Sequence, residues 1–334
     1  MSDPIRIGHV GLGVWGPNIA RNLADLAGAE LAYVCDADRG RLDRVASRFP
    51  GATLTSRFDD LLEDSSLDAI TIATPVPTHH ELGLRALAAG KHVFIEKPLA
   101  LTAADAEELA RAGRERGLVV MPGHLLLYHP GVARLKELAD TGELGEILYV
   151  YGNRQNLGQI RPDENALWSL GAHDVSVILH LVDEQPEEAW AHGESYLKPG
   201  VEDVVFAYLR FPSGIVAHMH LSWLDPHKMR KMTVVGRNRM AIFDDMELER
   251  KITVYDKFAE QPSESYGEWR TRTGDIWSPK IDNAEPLRLE CEHFLRLVRG
   301  EADPTGEAEM GVAVVRCLEG LQRSLDAHGA PGRR

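Results

Sequence analysis

The chain has 334 residues, 44% of them hydrophobic and 26% charged, with a formal net charge of -14. That length suits two domains, each able to bury a core of its own. The negative balance disfavours nucleic acid or an anionic membrane as partner, since both need a basic face, and leaves a small-molecule substrate held in a local pocket. Three cysteines, Cys35, Cys291 and Cys317, without CxxC spacing, indicate neither a disulfide framework nor a zinc site and fit a reducing cytoplasm. No compact His/Asp/Glu spacing points to a metal. The opening MSDPIRIGHV runs almost at once into a strand, so neither signal peptide nor membrane span is expected before it.

Strands are expected at 5–10, 31–35, 68–73, 92–95 and 118–121, separated by helical patterns such as Asn18–Ala27. Leu82, Ala86 and Ala89 keep a helical period that Gly90 stops, and Thr102 with Asp105 makes a capping-box-like start to another helix. This alternation predicts a parallel sheet covered by helices over residues 1–122. Beyond residue 145 the runs 146–152, 202–211, 215–222, 229–236, 239–244 and 250–255 lie close together, with a hairpin turn at Phe211–Ile215. Short connections favour antiparallel pairing, so residues 123–334 are expected to form an α+β domain on an open, mainly antiparallel sheet. Residues 259–275, rich in Glu, Ser, Thr and Gly, read as a long loop. Leu287, Cys291, Phe294, Leu295 and Val298 then share a helix face, the C-terminal helices are expected to pack back on the first domain, and GAPGRR reads as a frayed tail.

The string GLGVWG joins the first strand to the first helix, and Asp36 ends the second strand twenty residues past Gly16. This is the order of a dinucleotide-binding unit. Gly11 permits the tight turn, Gly13 lets a pyrophosphate approach the backbone, and Gly16 lets helix and strand pack closely; Val14 and Trp15 complete the turn. The helix N-terminus offers N–H groups to the phosphates. Asp36 can accept from both ribose hydroxyls and repels a 2′-phosphate, which favours NAD over NADP, although Arg39 nearby works against that unless it and Arg41 are solvated. Glu96-Lys97-Pro98 follows the fourth strand directly, where ligands sit beyond the carboxyl ends of a doubly wound sheet. Lys97 there either stabilises a developing alkoxide or makes a surface ion pair.

The glycine fingerprint, ATPVPTHHELGLRALAAGKHVFIEKPLA at 73–100 and the α+β second half resemble the glucose-fructose oxidoreductase, inositol dehydrogenase and MocA-like oxidoreductases. The resemblance implies a Rossmann domain, an NAD cofactor, Thr74, Pro75, His79 and Glu96 beside it, and Lys97 as a catalytic residue. It implies a sheet that is both substrate platform and oligomer interface, in a homodimer or homotetramer. SLGAHD at 169–174 matches the family's Asp-x-Gly-x-His pattern at Gly171 and His173, with Ser169 in place of the acid. By this match His173 takes the hydroxyl proton, a task suited to imidazole near neutral pH.

VGLGVWGPNIARNL at 10–23, GHLLLYHPGVARLKEL at 123–138 and RPDENALWSLGAHDVSVIL at 161–179 resemble members acting on nucleotide sugars, nearest to dehydrogenases that oxidise the 3-hydroxyl of UDP-N-acetylglucosamine. That likeness assigns Tyr128, Arg154, Asn156, Arg161, Asn165 and Trp168, with His173, to the substrate, while His129 stands where relatives often carry asparagine. Lys228, Arg230 and Lys231 are either further phosphate ligands or charges on a strand edge. Rival readings are an NADP(H)-dependent keto-sugar reductase, an inositol or other sugar dehydrogenase, a redox-neutral NAD-dependent glycosidase and a non-catalytic sensor.

Overall fold

A computed structural model describes residues 3–158, 160–161, 164–260 and 268–328. Ile5–Val10 forms β1, followed in chain order by α1 (Gly16–Asp25), β2 (Ala29–Cys35), α2 (Arg39–Val45), β3 (Thr53–Thr55), α3 (Asp59–Glu63), β4 (Ala69–Ile72), α4 (His79–Ala88), β5 (His92–Glu96), α5 (Ala103–Arg116) and β6 (Val120–Gly123). The six strands are all parallel, in the order β3-β2-β1-β4-β5-β6. The order reverses direction beside β1, which makes a crevice at the carboxyl ends of β1 and β4. Thr102 caps α5 by accepting from the Asp105 N–H at 3.1 Å, and Gly117 closes the helix in the left-handed conformation at φ 64°.

After α6 (Pro130–Asp140), β7 (Ile147–Gln155) and α7 (Ala172–Val182) come β8 (Glu188–Glu194), β9 (Val204–Arg210), β10 (Val216–Ser222), β11 (Met229–Gly236), β12 (Met240–Asp244), β13 (Ile252–Glu260) and β14 (Arg270–Trp277). They form a second sheet, ordered β14-β13-β12-β11-β7-β10-β9-β8. It is antiparallel except where β7 runs parallel to β10, a pairing the long connection through α7, β8 and β9 allows. The turn at 211–215 closes with Phe211 N–H on the Ile215 carbonyl at 2.9 Å, and Gly214 takes φ 86°. Of residues 259–275, expected as a loop, 259–260 and 270–275 lie in paired strands: β13 extends to Glu260 and β14 begins at Arg270, while 261–267 fall outside the described residues, as does the GAPGRR tail.

Alternation gives the second sheet two different faces. Ala217, Met219 and Leu221 of β10 and Val205, Ala207 and Leu209 of β9 are buried on one. The other carries Tyr151 stacked on His218 at 5.0 Å and Phe206 stacked on His220 at 4.5 Å, with Phe206 49% and Trp190 47% exposed.

The chain ends in α8 (Pro286–Val298) and α9 (Glu307–His328). It divides into two compact units: one joins residues up to Tyr128 with Ala284–Arg316, the other joins His129–Asn283 with the chain from Cys317 onward. In the first unit Leu287, Cys291, Phe294 and Leu295 of α8 enter the core formed by Ile5, Ile7, Ile19, Leu23 and Phe94. Phe94 and Phe294 meet edge to face at 5.8 Å. No helix among the described residues is long and apolar enough to cross a membrane. Replacing Phe294 by Ala should lower stability by about 3–5 kcal/mol in urea unfolding, because a fully buried ring leaves a cavity against Phe94.

Candidate active site

Three glycines shape the turn after β1, each for a different reason. Gly11 has φ 100°, and a Cβ there would stand 2.5 Å from the Ala73 carbonyl oxygen. A Cβ on Gly16 would overlap the Gly11 carbonyl oxygen, so only glycine lets α1 start this close to β1. A Cβ on Gly13 would meet nothing within 4 Å. Packing therefore does not explain Gly13, and open space over the backbone is what a pyrophosphate requires. Val14 and Trp15 beside it are exposed, and Pro17 starts the helix.

Asp36 is buried at the end of β2, oriented by the main chain. Its Oδ2 accepts from Leu12 N–H at 2.6 Å and its Oδ1 from Asp38 N–H at 2.8 Å. This fixes the carboxylate next to the glycine turn, where it suits a ribose. Arg39 is exposed, whereas Arg41, which the sequence left as a solvated residue, reaches Asp36 Oδ2 at 3.5 Å.

The ends of β4 and β5 are tied together by His79. Its fully buried ring lies 2.9 Å from the Thr74 carbonyl oxygen and 3.0 Å from that of Pro98, and burial lowers its pKa. The ring thus holds the two loops in place. Thr74 Oγ1 bonds Thr78 Oγ1 at 2.7 Å, and Pro75 precedes a short turn of 3-10 helix. Glu96 closes β5: its Oε2 accepts from the Lys97 N–H at 3.1 Å, and the Trp15 indole donates to the same carboxylate. Lys97 follows, joined to Pro98 by a cis peptide. Tyr128, in this same unit, turns its phenol to Glu307 and its ring to His293, 5.5 Å away.

In the second unit, a π-helical turn at Leu167–Gly171 leads into α7. Such turns re-aim the residues that follow and recur at functional sites. Within α7 only His173 and His180 are not buried. Its neighbour Asp174 faces inward, where Arg154 of β7 donates to Oδ1 through Nε at 2.9 Å and Nη2 at 2.7 Å. Burial pushes the Asp174 carboxyl up, and Arg154 offsets only part of that. The guanidinium that the likeness assigned to the substrate is thus held by a buried acid of α7. Asn165 donates to Glu202 at 2.7 Å and Gln322 at 2.9 Å, its Oδ1 accepts the Trp168 N–H, and the Trp168 indole bonds Gln322 at 3.1 Å. These two residues brace the start of the π turn. Asn156 is half-buried, and Arg161 is 46% exposed with Glu164 at 3.0 Å.

His129 caps α6, its Nδ1 accepting from Gly131 N–H at 2.9 Å while Nε2 faces Asp245 at 3.4 Å. Arg230 and Lys231 are not edge charges, because β11 is an interior strand; they pair with Asp245 at 3.3 Å and Asp244 at 2.9 Å. Among the described residues no group of His, Cys, Asp and Glu is arranged to hold a metal.

The glycine turn, the space over Gly13 and the fixed Asp36 fit NAD, and the fold is that of an NAD-dependent oxidoreductase. Residues 5–124 match the oxidoreductase family's NAD-binding Rossmann fold and residues 132–242 match the GFO/IDH/MocA C-terminal domain. The chain belongs to the GFO/IDH/MocA oxidoreductase family. It is 25% identical over 349 residues to a scyllo-inositol 2-dehydrogenase (NAD(+)) of Bacillus subtilis, covering 99% of both chains. It superposes on GenD2 from gentamicin A biosynthesis, solved with NAD, at TM-score 0.82 and 26% identity, covering 99% of this chain and 96% of that one. A likeness in fold extends to UDP-N-acetylglucosamine 3-dehydrogenase GnnA of Acidithiobacillus ferrooxidans, at TM-score 0.81 and 24% identity over 98% of this chain and 99% of the other.

Two outcomes follow from this geometry. Arg154→Met should cost about 3–5 kcal/mol in urea unfolding by stranding Asp174, and adding Asp174→Asn should recover most of the loss. Asp36→Ser should lower the preference for NAD over NADP by about tenfold or more in cofactor titrations, through loss of charged hydrogen bonds to the ribose.

Proposed function

We propose that this protein oxidises a secondary ring hydroxyl of a sugar or cyclic polyol with NAD, Lys97 and His173 acting on the hydroxyl. The observation that carries this reading is Lys97 itself: it directly follows β5 at the carboxyl end of the sheet that bears the glycine turn, with its backbone N–H held by Glu96. When bound, NAD supplies the acceptor for the two electrons and the hydrogen leaving the substrate carbon. The Lys97 ammonium stabilises negative charge on the hydroxyl oxygen. His173, one of two partly accessible residues in a mostly buried helix, takes the hydroxyl proton. Ser169, one turn earlier, cannot relay a charge as a carboxylate would.

A cyclic polyol such as an inositol is favoured by the full-length likeness to a scyllo-inositol dehydrogenase and by Arg154, whose guanidinium is engaged with Asp174. The second reading is a nucleotide sugar, UDP-N-acetylglucosamine oxidised at C3, which the exposed Arg161 favours as a ligand for a diphosphate. The aromatic open face of the second sheet is suited to cover by another copy, in a homodimer or homotetramer. Three buried free thiols suit the cytoplasm.

The test is NADH formation with a panel of inositols, free sugars and UDP-sugars in the presence of a carbonyl trap. Lys97→Met should lower kcat on the active substrate by about 10²–10⁴-fold, while NAD affinity stays within about threefold of the parent. Unchanged turnover would remove Lys97 from the mechanism.

A further inference from the structure

Glu290 is wholly buried on an otherwise apolar face of α8, and neither of its carboxyl oxygens has a hydrogen-bond partner. Its position follows from the Phe94–Phe294 contact. Phe94 and Glu96 lie on one side of β5, about 6.6 Å apart along the strand. Phe294 and Glu290 lie on one side of α8, about 6 Å apart along the helix. With the two rings in contact, Glu290 and Glu96 each lie one short step from that contact, and the charge of Glu96 is felt at Glu290. Glu96 Oε1 is also buried and without partner. Space for that carboxyl comes from Gly123 on β6, paired with Glu96, where a Cβ would stand 3.2 Å from Glu96 Cδ.

We infer that Glu290 is a positioning residue for Lys97, sharing one proton with Glu96 at the end of β5. With Glu290 wholly buried and Glu96 Oε1 shut off from solvent, the two carboxylates do not both ionise. One retained proton lets Glu290 donate to Glu96 Oε1, directly or through a single water, which satisfies orphaned oxygens on both residues. Glu96 is the ionised partner, because Lys97 N–H and the Trp15 indole stabilise its charge; its pKa is raised to about 7, whereas burial and the charge on Glu96 raise that of Glu290 well above the usual carboxylate range. The other titratable groups here are Lys97, His124, Tyr128, Cys291, His293 and Glu307. His124 is pushed down to about 4 by burial, and the Tyr128 phenol and Cys291 thiol are pushed up, so all three stay neutral near pH 7. His293 pairs with Glu307 at 2.9 Å. The shared proton locks Glu96 in the rotamer that holds the Lys97 backbone and the glycine turn together.

The role of Lys97 rests on the function proposed above, so one readout needs no substrate. A carboxyl pair whose folded pKa exceeds its unfolded value binds more protons folded than unfolded, so stability falls as pH rises from about 5 to about 8. In E290Q that fall should weaken by about one linked proton in pH-dependent thermal unfolding, and the infrared carbonyl stretch of a protonated carboxyl, present in the parent at about pH 8.5 where Glu96 is ionised, should vanish. An unchanged pH slope, or a stretch that persists in E290Q, would overturn the shared proton. For turnover, E290L should lower kcat by about tenfold to a hundredfold with NAD affinity nearly constant, as misplacement of a catalytic group does. E290Q, whose amide can donate to Glu96, should restore most of that loss. E290L with parental kcat, or E290Q no better than E290L, would overturn the positioning role.

Discussion

Helix α1 begins so close to β1 that no side chain fits at Gly16, and most of the cofactor half depends on that approach. It brings the helix N-terminus up to the strand end and places Leu12 N–H within reach of Asp36. It also leaves the open space over Gly13 and sets Trp15 where its indole reaches Glu96. A single steric condition therefore couples the phosphate end of the dinucleotide site to the Glu96-Lys97 segment.

The same device of an acid lodged beside a strand glycine occurs in each unit. Glu96 sits against Gly123, and Asp174 sits against Gly152, where a Cβ would be 3.1 Å from Oδ2. Each buried carboxylate is restrained by groups next to the proposed chemistry: Lys97 N–H in one case, Arg154 in the other, with His173 adjacent in sequence to Asp174. Burial makes these charges costly unless their partners stay in place, so the acids act as rigid reference points. Polar groups that would be loose in water become fixed geometry here.

The glycine turn, Asp36 and Lys97 were legible because they combine residue type with strand and helix periodicity. So were five strands of the first sheet and the Phe211–Ile215 turn. β3 escaped because it is only three residues long. β8 and β14 escaped because EAWAHGE and RTRTGDIW are edge strands without clean alternation; most of β14 is exposed. Arg154, Asn165 and Trp168 could be placed near the substrate by likeness, but their hydrogen bonds to Asp174, Glu202 and Gln322 join residues far apart in the chain. Glu290 left one local trace, a carboxylate within the apolar stripe Leu287, Cys291, Phe294, whose meaning depends on a strand almost two hundred residues earlier.

The first unit is not finished by its first 128 residues. Its core takes Leu287, Cys291, Phe294 and Leu295 from α8, which leaves the ribosome after the whole of the second sheet. During synthesis the Phe94 side of β5 therefore stays uncovered while the later strands β7 to β14 emerge. Domains generally fold as units from the N-terminus onward, but here the nucleotide-binding half acquires its last layer only after all strands of the second sheet have been synthesised, and the other half in turn waits for the chain from Cys317 onward. A chain cut short anywhere before residue 286 leaves an apolar sheet face open to solvent and to other chains.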